Sequence, residues 1–240
     1  MDTARTWDLT LPVLEHHHEV IAPNLAGHAG GPPFDPGAGI GGMLDAVESA
    51  LDEAGVETAH ITGNSFGGYL ALRLAARGRA RSVVALAPAG GWAQGDESWR
   101  ETLALQSAIH AQTRLAAPQA DRILATPEGR RRATSYTTVN FEHIPVELLT
   151  HQLAGVAACE VEPLVANALR EGWPLDAERI TCPVRIVWGT EDRLLPWPSA
   201  ATRHRELLPH ADWVVLDGVG HCPQLDVPLE AAQLIVGFTA

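Results

Sequence analysis

Five short apolar runs rich in β-branched residues punctuate the chain: Glu19-Val20-Ile21-Ala22, Ala59-His60-Ile61-Thr62, Ser82-Val83-Val84-Ala85-Leu86, Val184-Arg185-Ile186-Val187-Trp188 and Trp213-Val214-Val215-Leu216. Most are nearly continuous in apolar character rather than alternating, the pattern of parallel strands covered on both faces. Between them, residues 42–51, the stretch after Ser65 and residues 228–238 carry helical spacing. Gly55 suits a C′ position with positive φ, and Pro228 suits a first helical turn. The alternation predicts an α/β fold with a doubly wound, mostly parallel sheet.

The rhythm breaks between Gly90 and Arg179, roughly 90 residues where a crossover needs about a dozen. Helical patterns run over residues 98–115, 127–135, 145–158 and 159–170, with Thr126-Pro127-Glu128 as a helix start and Gly172 as a stop. We read residues 1–91 and 176–240 as the α/β core and residues 92–175 as an inserted helical cap. There is no internal repeat.

Gly63-Asn64-Ser65-Phe66-Gly67 follows one apolar run and precedes a helical stretch, so Gly-x-Ser-x-Gly stands on a strand-to-helix turn. The flanking glycines would remove Cβ atoms that collide with strand and helix. Ser65 is the candidate nucleophile. A serine hydroxyl needs a base, usually an imidazole held by a carboxylate. His221, in Val219-Gly220-His221-Cys222-Pro223, and Asp192, in Gly189-Thr190-Glu191-Asp192, each follow a predicted strand, where an α/β sheet presents its active groups. Glu191 and Asp217 are alternative carboxylates. Unrelated serine-hydrolase folds place the same three residue types in different chain orders, and Ser65, Asp192, His221 is one of those orders.

Composition narrows the chemistry. All 17 basic residues are arginine, which excludes a lysine Schiff base, covalently held pyridoxal phosphate and a P-loop lysine. A net charge of −12 offers no basic face to nucleic acid or an anionic membrane. Three scattered cysteines, and no apolar leader or spanning run, fit a reducing cytoplasm. His16-His17-His18 lacks a second ligand cluster and reads as an exposed turn, so no metal is expected. Trp92, Trp99, Tyr136, Phe141 and Trp173 either line an apolar pocket or form the cap's own core; Trp92 is the first candidate for substrate contact. Cys222 reads as pocket lining beside His221.

At Ser65, Asp192 and His221 the chain resembles the α/β-hydrolase family, specifically its members with a helical cap. The resemblance extends to Val20-Ile21-Ala22-Pro23-Asn24-Leu25-Ala26-Gly27-His28-Ala29-Gly30, with Asn24 where many members have aspartate and Ala29 where they often have glycine. It implies that the Phe66 N–H is one oxyanion donor. Members carry a second donor on a His-Gly loop, after further strands that precede the segment resembling Thr3-Ala4-Arg5-Thr6-Trp7. The resemblance therefore implies a coding segment upstream of Met1. Without such a segment a gap is left between the Val20 and Ile61 strands, which either close on one another or remain as two unpaired edges; the upstream segment is the favoured reading.

The expectation is a cytoplasmic serine hydrolase that cleaves an ester or related acyl bond of a small, largely apolar molecule through an acyl-enzyme, with no cofactor. The family also contains C–C bond hydrolases, amidases, aminopeptidases and perhydrolases, which the triad does not separate. A non-catalytic or weakly active binding protein on the same scaffold is the rival class. The sequence assigns no oligomeric state.

Overall fold

The structure, a computed structural model, describes residues 1–239. Four parallel strands, β1 (Ala59–Asn64), β2 (Ala80–Leu86), β3 (Val184–Gly189) and β4 (Asp212–Leu216), form one sheet in that spatial order. Their order matches the four later apolar runs. The seven longer helices are α1 (Gly39–Glu53), α2 (Phe66–Ala76), α3 (Ser98–Ala116), α4 (Pro127–Thr134), α5 (Val146–Ala158), α6 (Val161–Glu171) and α7 (Pro228–Thr239).

Successive strand side chains point to opposite faces, and both faces here are covered. Val83, Ala85, Ile186 and Trp188 join Met43 and Leu44 of α1 and Leu72 of α2 in one buried cluster. Val84, Leu86, Val187 and Leu216 join Ala232 and Ile235 of α7 and Leu14 in another. This two-sided burial is why the runs are continuously apolar. Gly55 ends the first helical segment with φ 70°, in the left-handed region where a Cβ would be strained.

One expected strand does not form. Residues 19–25 have no strand pairing, Ile21 is 41% exposed, and β1 ends the sheet as an edge. The Val20 and Ile61 segments therefore do not close on one another. A β-prone run becomes a strand only where a neighbour accepts its backbone hydrogen bonds. Val20, Ile21 and Ala22 instead line a cavity that also runs along all six residues of β1.

Helices α3 to α6 all lie between β2 and β3 in the chain. Phe141, Ile144, Leu148 and Leu149 pack with Cys222 and Leu225 from the loop after β4. The Cys222 N–H donates to the Thr137 carbonyl at 2.9 Å. The inserted helices thus rest on the segment that carries His221. No helix among the described residues is long and apolar enough to cross a membrane.

Candidate active site

Ser65 occupies the turn between β1 and α2 with φ 56° and ψ −118°, a region that non-glycine residues occupy only where their surroundings impose it. Here the surroundings do so. The Ser65 N–H donates to Leu86 O at 2.8 Å, and the Ser65 carbonyl accepts from Tyr69 N and Ala89 N, each at 3.0 Å. A Cβ on Gly63 would collide with the Gly67 carbonyl group, and one on Gly68 would come to 3.1 Å from Gly63 O and Pro88. A Cβ on Gly67 would meet nothing within 4 Å. The steric requirement expected of both flanking glycines therefore falls on Gly63 and Gly68, with Gly67 contributing the backbone that Gly63 must admit. Phe66 opens α2, and the first N–H groups of a helix have no intrahelical acceptor.

His221 and Asp192 come from the loops after β4 and β3. The His221 Nδ1–H donates to Asp192 Oδ2 at 2.7 Å, with both residues buried. Asp192 Oδ1 accepts from Leu194 N at 2.9 Å and Leu195 N at 2.7 Å. The carboxylate is thus oriented by its own loop and has one oxygen left for the imidazole. A carboxylate partner at Nδ1 fixes the tautomer, which leaves the Nε2 lone pair free to act as a base. Gly189 permits this meeting, because a Cβ there would collide with the carbonyls of Val219 and Gly220. Of the alternative carboxylates, Glu191 is exposed and Asp217 accepts from Thr190 Oγ1.

Ser65, Phe66 and His221 line one cavity of about 710 Å³. Trp92, Tyr136 and Trp173 line it as well, whereas Trp99 and Phe141 pack within buried clusters. The Trp92 and Trp173 rings lie 5.8 Å apart. Cys222 also lines the cavity, but burial and the nearby carboxylates Asp2 and Asp192 push its thiol well above the usual range, so it stays protonated. His16 and His17 are exposed, and the ring of His18 bonds Thr239 Oγ1 at 2.8 Å. Asn24 accepts at Oδ1 from Ala4 N at 2.8 Å.

Three polar residues that sequence reasoning passed over hold the site together. Asn64 Nδ2 donates to the His221 carbonyl at 2.8 Å and to Leu86 O at 3.1 Å, while its Oδ1 accepts from Gln224 Nε2 at 3.2 Å. Asp226, only 2% exposed, accepts from Gly220 N, Val139 N, Asn140 N and Asn140 Nδ2 at 2.5, 3.0, 2.6 and 2.9 Å. Its one sequence signal was an acid amid apolar neighbours, in Leu225-Asp226-Val227-Pro228.

The model of a family described as the alpha/beta hydrolase family matches residues 2–234. The chain is 36% identical over 204 residues to a protein of Mycobacterium tuberculosis named epoxide hydrolase EphH, covering 82% of this chain and 92% of that one. Among solved structures, 2-hydroxy-6-oxo-6-phenylhexa-2,4-dienoate hydrolase from Rhodococcus sp. strain RHA1 superposes with a TM-score of 0.73 at 24% identity, covering 100% of this chain and 86% of that one. A thermophilic esterase from Thermogutta terrifontis gives 0.70 at 19% identity, covering 98% and 85%. At these identities the structural likenesses speak for the fold. With the family match spanning nearly every residue and the sheet ending in three loops that converge on one cavity, the chain belongs to the alpha/beta hydrolase family.

Proposed function

We propose that this hydrolase cleaves an ester or related acyl bond of a small, largely apolar molecule by serine catalysis. The observation that carries the reading is the buried Asp192–His221 pair, at 2.7 Å, opening on the cavity that Ser65 lines. His221 Nε2 takes the Ser65 proton as Oγ attacks the carbonyl, and Asp192 stabilises the resulting imidazolium. The Phe66 N–H receives the developing oxyanion. His221 then protonates the leaving group, and a water activated by the same imidazole releases the acyl group from Ser65. Leu103, Ile109, Leu149, Leu153 and Leu164 on the cavity wall favour an apolar acyl chain.

Epoxide opening, the activity in the name of the Mycobacterium tuberculosis relative, fits this nucleophile poorly. A serine oxygen that attacks an epoxide carbon leaves an ether with no carbonyl for water to attack, whereas an acyl-serine turns over. Amide, C–C and perhydrolytic chemistry would use the same three residues. The reading requires no cofactor and involves neither nucleic acid nor membrane, in keeping with the net charge of −12. A cytoplasmic setting is part of it, supported by three unpaired cysteines.

A second reading, a weakly active or silent protein, is favoured by the single oxyanion donor identified at Phe66, since a missing donor costs about 10²–10³ in turnover. Hydrolysis of p-nitrophenyl butyrate and octanoate, beside covalent labelling by a fluorophosphonate, decides between them. We expect both signals to vanish in Ser65→Ala. A folded wild-type chain that neither turns over nor labels would establish the second reading.

A further inference from the structure

Besides His221, three histidines line the cavity: the rings of His18 and His60 bond Thr239 Oγ1 and Ser82 Oγ, each at 2.8 Å, and His28 is left unused by the reaction outlined above. His28 lies in a tightly bonded turn: Gly27 N donates to Pro32 O, His28 N to Leu25 O, Gly31 N to His28 O, and Glu160 N to Gly27 O, at 2.8, 3.0, 2.9 and 2.8 Å. Gly27 has φ +74°, and a Cβ there would come to 3.0 Å from Phe34. The backbone under the ring is therefore fixed. The ring itself lies parallel to that of Phe66, with an interplanar angle of 6° and centroids 6.3 Å apart. Phe66 is the residue next to the nucleophile.

The protonation of His28 follows from its partner. His28 Nδ1 lies 3.2 Å from the Ala26 carbonyl oxygen, which can only accept, so Nδ1 carries the hydrogen. Burial pushes the pKa down to about 4, and the ring is neutral at neutral pH. A neutral imidazole with its hydrogen on Nδ1 has a bare lone pair on Nε2. No described residue donates to that atom, and His28 lines the same cavity as Ser65 and His221. Its position on the aromatic ring of Phe66 differs from that of a general base, because no carboxylate holds it and its hydrogen is committed to the backbone.

We propose that His28 is a specificity-determining residue whose Nε2 accepts a hydrogen bond from a hydroxyl group on the acyl part of the substrate, so that hydroxyacyl esters are preferred over their deoxy counterparts. The proposal rests on the acyl-hydrolase reading for its substrate class. In the free cavity the lone pair is open to water. A deoxy acyl chain that displaces this water leaves a desolvated acceptor unmet, whereas a hydroxyl replaces the lost bond. Discrimination of this kind is typical of sites that hydrogen-bond a substrate hydroxyl.

The test separates binding from turnover. In a Ser65→Ala background, p-nitrophenyl 3-hydroxybutyrate and p-nitrophenyl butyrate are titrated against tryptophan fluorescence. We expect the hydroxy ester to bind about 10-fold tighter or more. His28→Phe, which keeps an aromatic ring on Phe66 but removes the acceptor, should erase the ratio, and His28→Gln, which offers a carbonyl oxygen, should restore part of it. A third ligand, the N-acetylglycine p-nitrophenyl ester, distinguishes an amide N–H from a hydroxyl as the preferred donor; tighter binding of the amide alone would overturn the assignment. Equal affinities in the Ser65→Ala protein, or a ratio that survives His28→Phe, would also overturn it. Should His28→Phe fail to fold, ¹⁵N spectra of the Ser65→Ala protein give the same decision: the His28 Nε2 resonance should move with the hydroxy ester and stay with the butyrate. None of these readouts needs turnover, so failure of the serine mechanism would show separately, as wild-type activity that Ser65→Ala leaves intact.

Discussion

Asn64 Nδ2 donates to the backbone carbonyl of His221 at 2.8 Å, a contact between residues 157 positions apart. The residue before Ser65 thereby ties down the loop that carries His221. Asn64→Ala would leave that carbonyl and the Gln224 amide without this partner, at a cost of about 2 kcal/mol. The His221 ring would also lose its fixed relation to Ser65. We expect kcat for a p-nitrophenyl ester to fall about 10-fold or more with KM little changed, because orientation is a transition-state term. A change confined to KM would assign Asn64 to substrate contact instead.

The two glycines flanking Ser65 should separate cleanly. Gly63→Ala places a Cβ against the Gly67 carbonyl, backbone on backbone, with no flexible side chain to yield. Gly67→Ala places one in open space on a helix, where alanine is favoured over glycine by about 1 kcal/mol. We expect Gly63→Ala to lose about 3 kcal/mol or more together with its activity, and Gly67→Ala to melt at or above the wild-type temperature. Equal damage from both would refute the steric assignment.

Asp226 joins the inserted helical segment to the loop of His221 through four N–H donors. Asparagine has the same shape, but its amide nitrogen would confront a backbone N–H in a dry site. Asp226→Asn should therefore cost about 3 kcal/mol, or roughly 6–12 °C in melting temperature for a domain of this size. Hydrogen exchange should quicken first at Val139 and Asn140, the two amides of the inserted segment that the carboxylate holds. A melting temperature within about 2 °C of wild type would show that the carboxylate does not anchor the inserted segment.

How much of this was legible depends on the range over which each residue acts. The alternation of Val83 and Ala85 against Val84 and Leu86 reports local two-sided burial, and a chain-local pattern can encode it. Ser65, Asp192 and His221 each stand at the end of a readable strand. Val20-Ile21-Ala22 has the same local pattern as β1, but strand formation needs an adjacent edge, which no local pattern records; here the run borders a cavity. Asn64 and Asp226 each bridge a near neighbour to a partner more than 80 residues away, and as isolated letters they look like any turn asparagine or helix-start aspartate. The requirement at Gly63 rather than Gly67 likewise depends on where one carbonyl points.

His204 makes the fold sensitive to acid. It is fully buried, its Nε2–H donates to Ala89 O at 3.0 Å, and its Nδ1 has no partner. Burial pushes its pKa from 6.5 down to about 4, because a second proton would place a charge and an unmatched donor in the core. Between those two values the unfolded chain takes up a proton that the folded chain refuses. Stability is therefore fully present above about pH 6.5 and declines as the pH falls toward 4, by about 3 kcal/mol for this one group. His28, also near 4, acts in the same direction. We expect the urea midpoint to fall steadily between pH 7 and pH 4.5, and His204→Gln to flatten that slope by about one proton. An unchanged slope in His204→Gln, or a His204 ring that titrates near 6.5 by NMR in the folded protein, would show that the core tolerates the charge.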